Sequence, residues 1–261
     1  MIKEVITYIP KKIIKWAVLY PISMYRLRPI SHSANNAIST FVLRCIWGKI
    51  TDEITVYTDY GTKFVFHHPE DTGWEYVYTH RTFEAGTTKL LNSILRPDDV
   101  VFDVGGNFGW YTVLFSQILK NGRCHTFEPI PWILDKLKFH LKLNGLGRNV
   151  TINQVAVGEK SQTVRLYSFE GENHGLSSLL PLGREKYSTC DATMITLDQY
   201  VRDNKINKVD FIKCDVEGSE FDVAKGAAAL FSLPVPPMWL FEINYETAEA
   251  FHHKPSEILD F

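Results

Sequence analysis

From residue 100 onward, short apolar runs alternate with longer segments in which apolar residues recur every three or four positions. The runs are Val100–Val104, Val150–Val155, Val209–Cys214 and Met238–Ile243, with the more polar Arg123–Phe127 between the first two. They are too short for helices and rich in Val, Ile and Phe, so they read as strands. The periodic segments Trp110–Leu119, Trp132–Leu143 and Ser219–Phe231 read as the helices between them. Local signals agree with these limits. Arg96-Pro97-Asp98-Asp99 is a turn before the first run. Pro129 and Pro131 suit the opening of a helix, and Thr196 followed by Gln199 forms a capping box. Strands alternating with helices give an α/β protein with a doubly wound, mostly parallel, Rossmann-like sheet.

Two regions depart from that alternation. Thr163–Phe169 and Ala192–Ile195 read as strands that bracket Gly171–Ser178, a polar, Gly-rich loop with the make-up of a substrate-side lid. Before residue 82 the pattern changes to a β-hairpin, Asp52–Thr58 and Lys63–His67 around Asp59-Tyr60-Gly61, followed by helices at Trp74–Arg81 and Thr87–Leu95. The second of these carries Leu90, Leu91, Ile94 and Leu95 on one face. The expected division is therefore an N-terminal extension, residues 1–81, and a ligand-binding domain, residues 82–261.

Residues 1–30 hold Lys3, Lys11, Lys12, Lys15, Arg26 and Arg28 against Glu4 alone. Their apolar stretch, Ile13–Tyr25, is interrupted by Lys15 and Pro21 and is too short to span a bilayer. It suits either a helix packed on the main domain or one lying on an anionic membrane surface. The chain of 261 residues has a net charge of −2, which argues against general nucleic-acid binding. Cys45, Cys124, Cys190 and Cys214 are scattered and form no CxxC pair, as in a reduced, cytoplasmic protein; any contact with a membrane surface would run through residues 1–30.

The chemistry gathers where strands end. Gly105-Gly106-Asn107-Phe108-Gly109 follows the first strand, and such loops sit at the ligand edge of an open sheet. It lacks the third glycine of the dinucleotide pattern G-x-G-x-x-G. Asp103 beside it would repel a pyrophosphate but favour an ammonium group, which S-adenosylmethionine carries in its amino-acid tail. Glu128 ends the second strand, where a carboxylate accepts ribose hydroxyls. Val155 and Ala156 after the third strand suit the flank of an adenine ring. Asp215, Glu217 and Glu220 cluster at the end of the fourth strand, and Glu242 ends the fifth. Carboxylates at four strand ends on one edge point to a site. Asp215, Glu217, Glu220 and His174 of the insertion loop are candidates for a catalytic base. Asp215, Glu217 and Glu220 are also candidates for a bound divalent cation, although no tight metal-ligand spacing is visible. His67-His68 and His252-His253 read as surface histidines, since neighbours on a strand point to opposite faces.

Phe102–Thr112, Phe127–Pro129, Thr196–Asp198 and Asp210–Glu220 together resemble the FkbM family of S-adenosylmethionine-dependent methyltransferases, in order and spacing over roughly Thr82 to Glu242. The resemblance implies a class I methyltransferase fold and O-methylation of a sugar, glycan or natural-product hydroxyl. It implies that Asp103, Gly105, Asn107 and Gly109 line the methionine part of the cofactor and that Glu128 holds the ribose, with Gly106 also among the cofactor-binding residues. The family usually has Ala where Gly106 stands. Class I sheets also add two strands beyond the fifth, for which Asn244–Phe261 leave no room. The apolar fifth strand is then expected at an exposed edge, with Leu240 accessible and self-association as the consequence. Two other function classes fit a nucleotide-type fold: a non-catalytic binding module and an NAD-dependent oxidoreductase.

Overall fold

The computed structural model describes residues 53–67, 74–169, 177–182, 187–242, 245–252 and 257–260. The basic segment 1–30, His174, His68 and His253 lie outside the described residues. Internal contacts divide the chain into two compact units, residues 1–85 and 86–261.

In the first unit, β1 (Glu53–Tyr57) and β2 (Lys63–His67) form the expected antiparallel hairpin, with Glu53 opposite His67 and Tyr57 opposite Lys63. Ile54 and Val56 are buried between exposed neighbours, the period of two that a half-covered strand requires. The turn is closed by a 2.7 Å hydrogen bond between the Thr58 and Thr62 hydroxyls. Helix α1 (Trp74–His80) follows.

The second unit starts within α2 (Ala85–Ile94) and is built on a five-stranded parallel sheet. Its strands are β3 (Val100–Val104), β4 (Arg123–Phe127), β5 (Val150–Asn153), β10 (Phe211–Cys214) and β11 (Met238–Phe241). The spatial order β11-β10-β3-β4-β5 reverses direction between β3 and β10. That switch point leaves a crevice at the carboxyl ends of the two strands, where open α/β sheets bind ligands.

Strand alternation sorts the central residues into two layers. Phe102 and Val104 of β3 and Ile212 and Cys214 of β10 join one core, with Leu197 and Tyr200 of α5 (Leu197–Asp203), Val223 of α6 (Glu220–Lys225) and Leu230 of α7 (Ala228–Phe231). Phe127 meets Phe102 and Tyr200 edge-on at 5.6 and 4.8 Å, an arrangement that aligns ring edges with ring faces. The intervening residues Asp103 and Lys213 therefore face the other way, toward α3 (Trp110–Ile118). Helix α4 (Pro131–Leu143) carries proline in its first turn, as its sequence implies. The capping box also forms: the Thr196 hydroxyl accepts from the Gln199 N–H at 3.1 Å.

A second sheet of β6 (Ala156–Val157), β7 (Gln162–Phe169), β8 (Ser177–Ser178) and β9 (Tyr187–Ile195), in the order β6-β9-β7-β8, forms the insertion. Leu166 from β7 packs with Ile130 and Ile133 at the start of α4.

Some expected boundaries move. The segment Ser219–Phe231 is two short helices broken around Gly226, whose position is taken up by close approach to Gly158. The third and fifth strands end at Asn153 and Phe241, short of Val155 and Ile243. Among the described residues, β11 pairs only with β10. Leu240 is half-buried, so the exposure expected there falls instead on Met238 at the start of the strand. Trp239 is held between Phe231 and Phe241 in stacks of 4.8 and 4.9 Å. Helices α8 (Tyr245–Ala250) and α9 (Glu257–Asp260) complete the unit. No helix among the described residues is long and apolar enough to cross a membrane.

Candidate active site

The loop after β3 is shaped by what its glycines omit. Gly105 has φ +82°, and a Cβ there would lie 1.8 Å from the Asp215 carbonyl oxygen. Only glycine combines this left-handed backbone with so close an approach between the ends of β3 and β10. The Gly105 and Gly106 N–H groups both donate to the Phe127 carbonyl at 3.0 Å, which fixes the loop to the end of β4. A Cβ on Gly106 would meet the Thr126 hydroxyl at 2.3 Å and Leu137 at 2.9 Å, so an alanine there has no room unless both side chains move. Gly109, at φ +94°, is the N-cap of α3. His140 of α4 donates from Nδ1 to the Phe108 carbonyl at 2.7 Å and locks the loop against the second helix.

Glu128 closes this network. One carboxylate oxygen accepts the Asn107 N–H at 3.0 Å and the other the Ile130 N–H at 2.9 Å. Each oxygen keeps a lone pair for a further donor. Burial pushes the Glu128 carboxyl up to about 7, against the two backbone hydrogen bonds and with help from Asp103 and Asp215.

Past β10 the chain turns through Asp215, Val216, Glu217 and Gly218. Glu220 organises this turn: its carboxylate accepts from the Val216 N–H at 3.0 Å and from the Gly218 N–H at 3.1 Å. Glu220 is thus committed to the backbone, as an acid at the start of α6 should be. Glu217 is instead forced into the left-handed region, φ +56°, where a residue with a side chain is strained. Burial first, then Asp215, Glu242 and Glu220, push its carboxyl to about 8, while Lys213 pulls the other way.

Between these elements lies an open cleft. Gly105, Asn107 and Glu128 line one side; Asp215, Glu217 and Ser219 line another. Phe127, Val155, Ala156, Val157, Leu166 and Met194 supply an apolar wall. The insertion reaches over the cleft through Ser177 and Ser178, and the Ser178 hydroxyl donates to the Glu217 carbonyl at 3.3 Å. The described lining holds three carboxyl side chains and no Lys, Arg or His. It offers a pyrophosphate no side-chain cation, whereas the Asp215 carboxylate can meet an ammonium group.

Most residues expected at the site are brought together in this cleft: Gly105, Asn107, Glu128, Val155, Ala156, Asp215 and Glu217. Gly106 and Gly109 shape it from behind. Asp103 stands apart from them. It is wholly buried beneath the loop and does not line the cleft. It is the penultimate residue of β3, and the period of two turns it toward α3, where it accepts the Thr112 hydroxyl at 2.5 Å. Its second oxygen has no hydrogen-bond partner, and burial raises its carboxyl against the pull of Lys213 and Thr112. Lys213 escapes a reading based on strand ends because it sits inside an apolar run. The signal for it is the charge itself, in a strand otherwise buried on both faces. No group of three or more metal-ligating side chains stands together among the described residues.

Residues 103–261 match the family model described as the methyltransferase FkbM domain. The chain is 30% identical over 146 residues to the hexuronic acid methyltransferase AglP of Haloferax volcanii, covering 55% of this chain and 56% of that protein. It is 26% identical over 184 residues to the AMB antimetabolite synthetase AmbE of Pseudomonas aeruginosa, covering 58% of this chain and 9% of that one. A crystal structure of the methyltransferase FkbM from Methylobacillus flagellatus aligns with 95% of this chain and 53% of its own at 16% identity and a TM-score of 0.42. The chain spans about half the length of AglP and a small part of AmbE.

Proposed function

The chain belongs to the FkbM-domain methyltransferases, and from that premise we propose that it transfers a methyl group from S-adenosylmethionine to a hydroxyl oxygen of a sugar or glycan. The observation that carries this reading is the lining of the cleft, three carboxyl groups without a cation beside an apolar wall, at the switch point of the sheet. These residues fit the cofactor. Glu128 has lone pairs for the ribose hydroxyls, and Val155 and Ala156 flank the space for the adenine. Gly105, on the lining of the cleft, borders the space for the methionine part. Asp215, which faces the cleft as Asp103 does not, takes the ammonium. When bound, the cofactor supplies a methyl group already activated for displacement.

The chain's own task is to align the acceptor oxygen and remove its proton. Glu217 suits the second role. It lines the cleft, and a carboxyl near 8 is a stronger base than an ordinary one, yet gives up its proton within the physiological range. His174 and the route through a divalent cation are set aside in favour of this carboxylate. The hexuronic acid methyltransferase among the relatives favours a sugar as acceptor.

Incubation with methyl-labelled S-adenosylmethionine and a panel of uronic acids, neutral hexoses and their short oligosaccharides tests the reading. Label is expected in an ether linkage on at least one sugar, unaffected by a chelator. Transfer to nitrogen or sulfur acceptors alone, or complete loss of transfer on chelation, would overturn it.

A further inference from the structure

Lys213 is 1% exposed in the middle of the central parallel sheet. A buried ammonium is costly unless it is paired. Its Nζ donates to an Asp215 carboxylate oxygen at 3.0 Å and stands 4.7 Å above the centre of the Tyr111 ring on α3. Asp103 is its partner in the β3–β10 register. The groups that face it are thus Asp215 on its own strand's end, Asp103 on β3, Tyr111 on α3 and the more distant Glu242 beyond β11. Burial works against its charge, but Asp215, Asp103 and Glu242 outweigh it and hold the ammonium above its ordinary range. Of the two acids close to it, only Asp215 reaches the cleft. Its side chain is 24% exposed, against 2% for the lysine.

We propose that Lys213 is a positioning residue that anchors the Asp215 carboxylate from inside the sheet, so that the other edge of that carboxylate is presented to the ammonium group of the cofactor's amino-acid tail. The inference rests on the functional reading above. A carboxylate at the end of a strand has free χ1 and χ2 rotations, and a fixed charge behind it selects one orientation before the ligand arrives. Tyr111 and the buried register position hold the lysine itself, so the anchor is rigid. Methionine at position 213 has nearly the same length and no charge.

The test compares two ligands by calorimetry: S-adenosylmethionine, and 5′-methylthioadenosine, which keeps the nucleoside and lacks the ammonium. In Lys213→Met the affinity for S-adenosylmethionine should fall at least tenfold, while that for methylthioadenosine stays within threefold of the unaltered protein. Equal weakening of both ligands, or of neither, would overturn the proposal, because a merely structural lysine does not distinguish them. If Lys213→Met does not fold, Lys213→Gln should show the same asymmetry; failure of both to fold assigns Lys213 to the scaffold and also overturns it. Binding of neither ligand to the unaltered protein would instead strike the functional reading.

Discussion

Glu217→Gln is expected to lower kcat by about 10²–10⁴-fold, the usual contribution of a positioned general base, while S-adenosylmethionine affinity changes by less than about threefold. The substitution keeps the size of the side chain and the strained turn, and removes only the proton acceptor. The pH profile supplies the sign. A base works when deprotonated, and burial has pushed this carboxyl to about 8. At saturating S-adenosylmethionine, kcat of the unaltered enzyme should therefore climb as pH rises toward 8 and level off above it, and the residual kcat of Glu217→Gln should lack that limb. A variant that retains full turnover, or that keeps the limb, would remove Glu217 from the chemistry and return attention to Asp215.

Glu128→Ala is expected to weaken S-adenosylmethionine binding by about one to two orders of magnitude, the loss of charge-assisted hydrogen bonds of about 1.5–3 kcal/mol. The structure adds a second cost. Glu128 also holds the Asn107 and Ile130 N–H groups, and alanine leaves both donors without it. The glycine loop should loosen, and the melting temperature should fall along with the affinity. The linkage has a defined direction. The Glu128 carboxyl stands at about 7 in the folded protein against 4.5 ordinarily. Its contribution to stability is complete below about 4.5 and is lost as pH rises through about 7. Glu217 acts in the same sense up to about 8. The ligand-free protein should thus be less stable at pH 8 than at pH 5, while cofactor binding, which uses the carboxylate, should tighten over the same interval. Unchanged affinity in Glu128→Ala would place the ribose elsewhere.

The sheet was legible because its strands are short, apolar and separated by periodic helices. The β3 loop was legible because its glycines answer a local demand: at Gly105, a left-handed φ and the carbonyl of Asp215. Glu128, Asp215 and Glu217 follow strand ends, and the chain there emerges at the ligand edge whatever the tertiary detail. Asp103 misses that edge by one residue. It precedes the strand's last position, and the pleat turns it inward. Lys213 is hard to read from sequence because its importance comes from neighbours 102 and 110 positions away in the chain, Tyr111 and Asp103. Glu220 looks equivalent to Glu217 in sequence; only the backbone donors of its own turn separate an acid that shapes the site from one that faces it. The break between α6 and α7 likewise depends on Gly226 meeting Gly158, a contact no local pattern announces.

The proposed function stands on a cleft at the β3–β10 switch point that accepts a sulfonium nucleoside and rejects a pyrophosphate. Calorimetric titration of the unaltered chain with S-adenosylmethionine and with NAD tests this directly. Saturable one-to-one binding of S-adenosylmethionine, lost in Glu128→Ala, with no heat from NAD, is the predicted result. Binding of NAD alone would contradict the account in favour of an oxidoreductase, and binding of neither would contradict it in favour of a non-catalytic module.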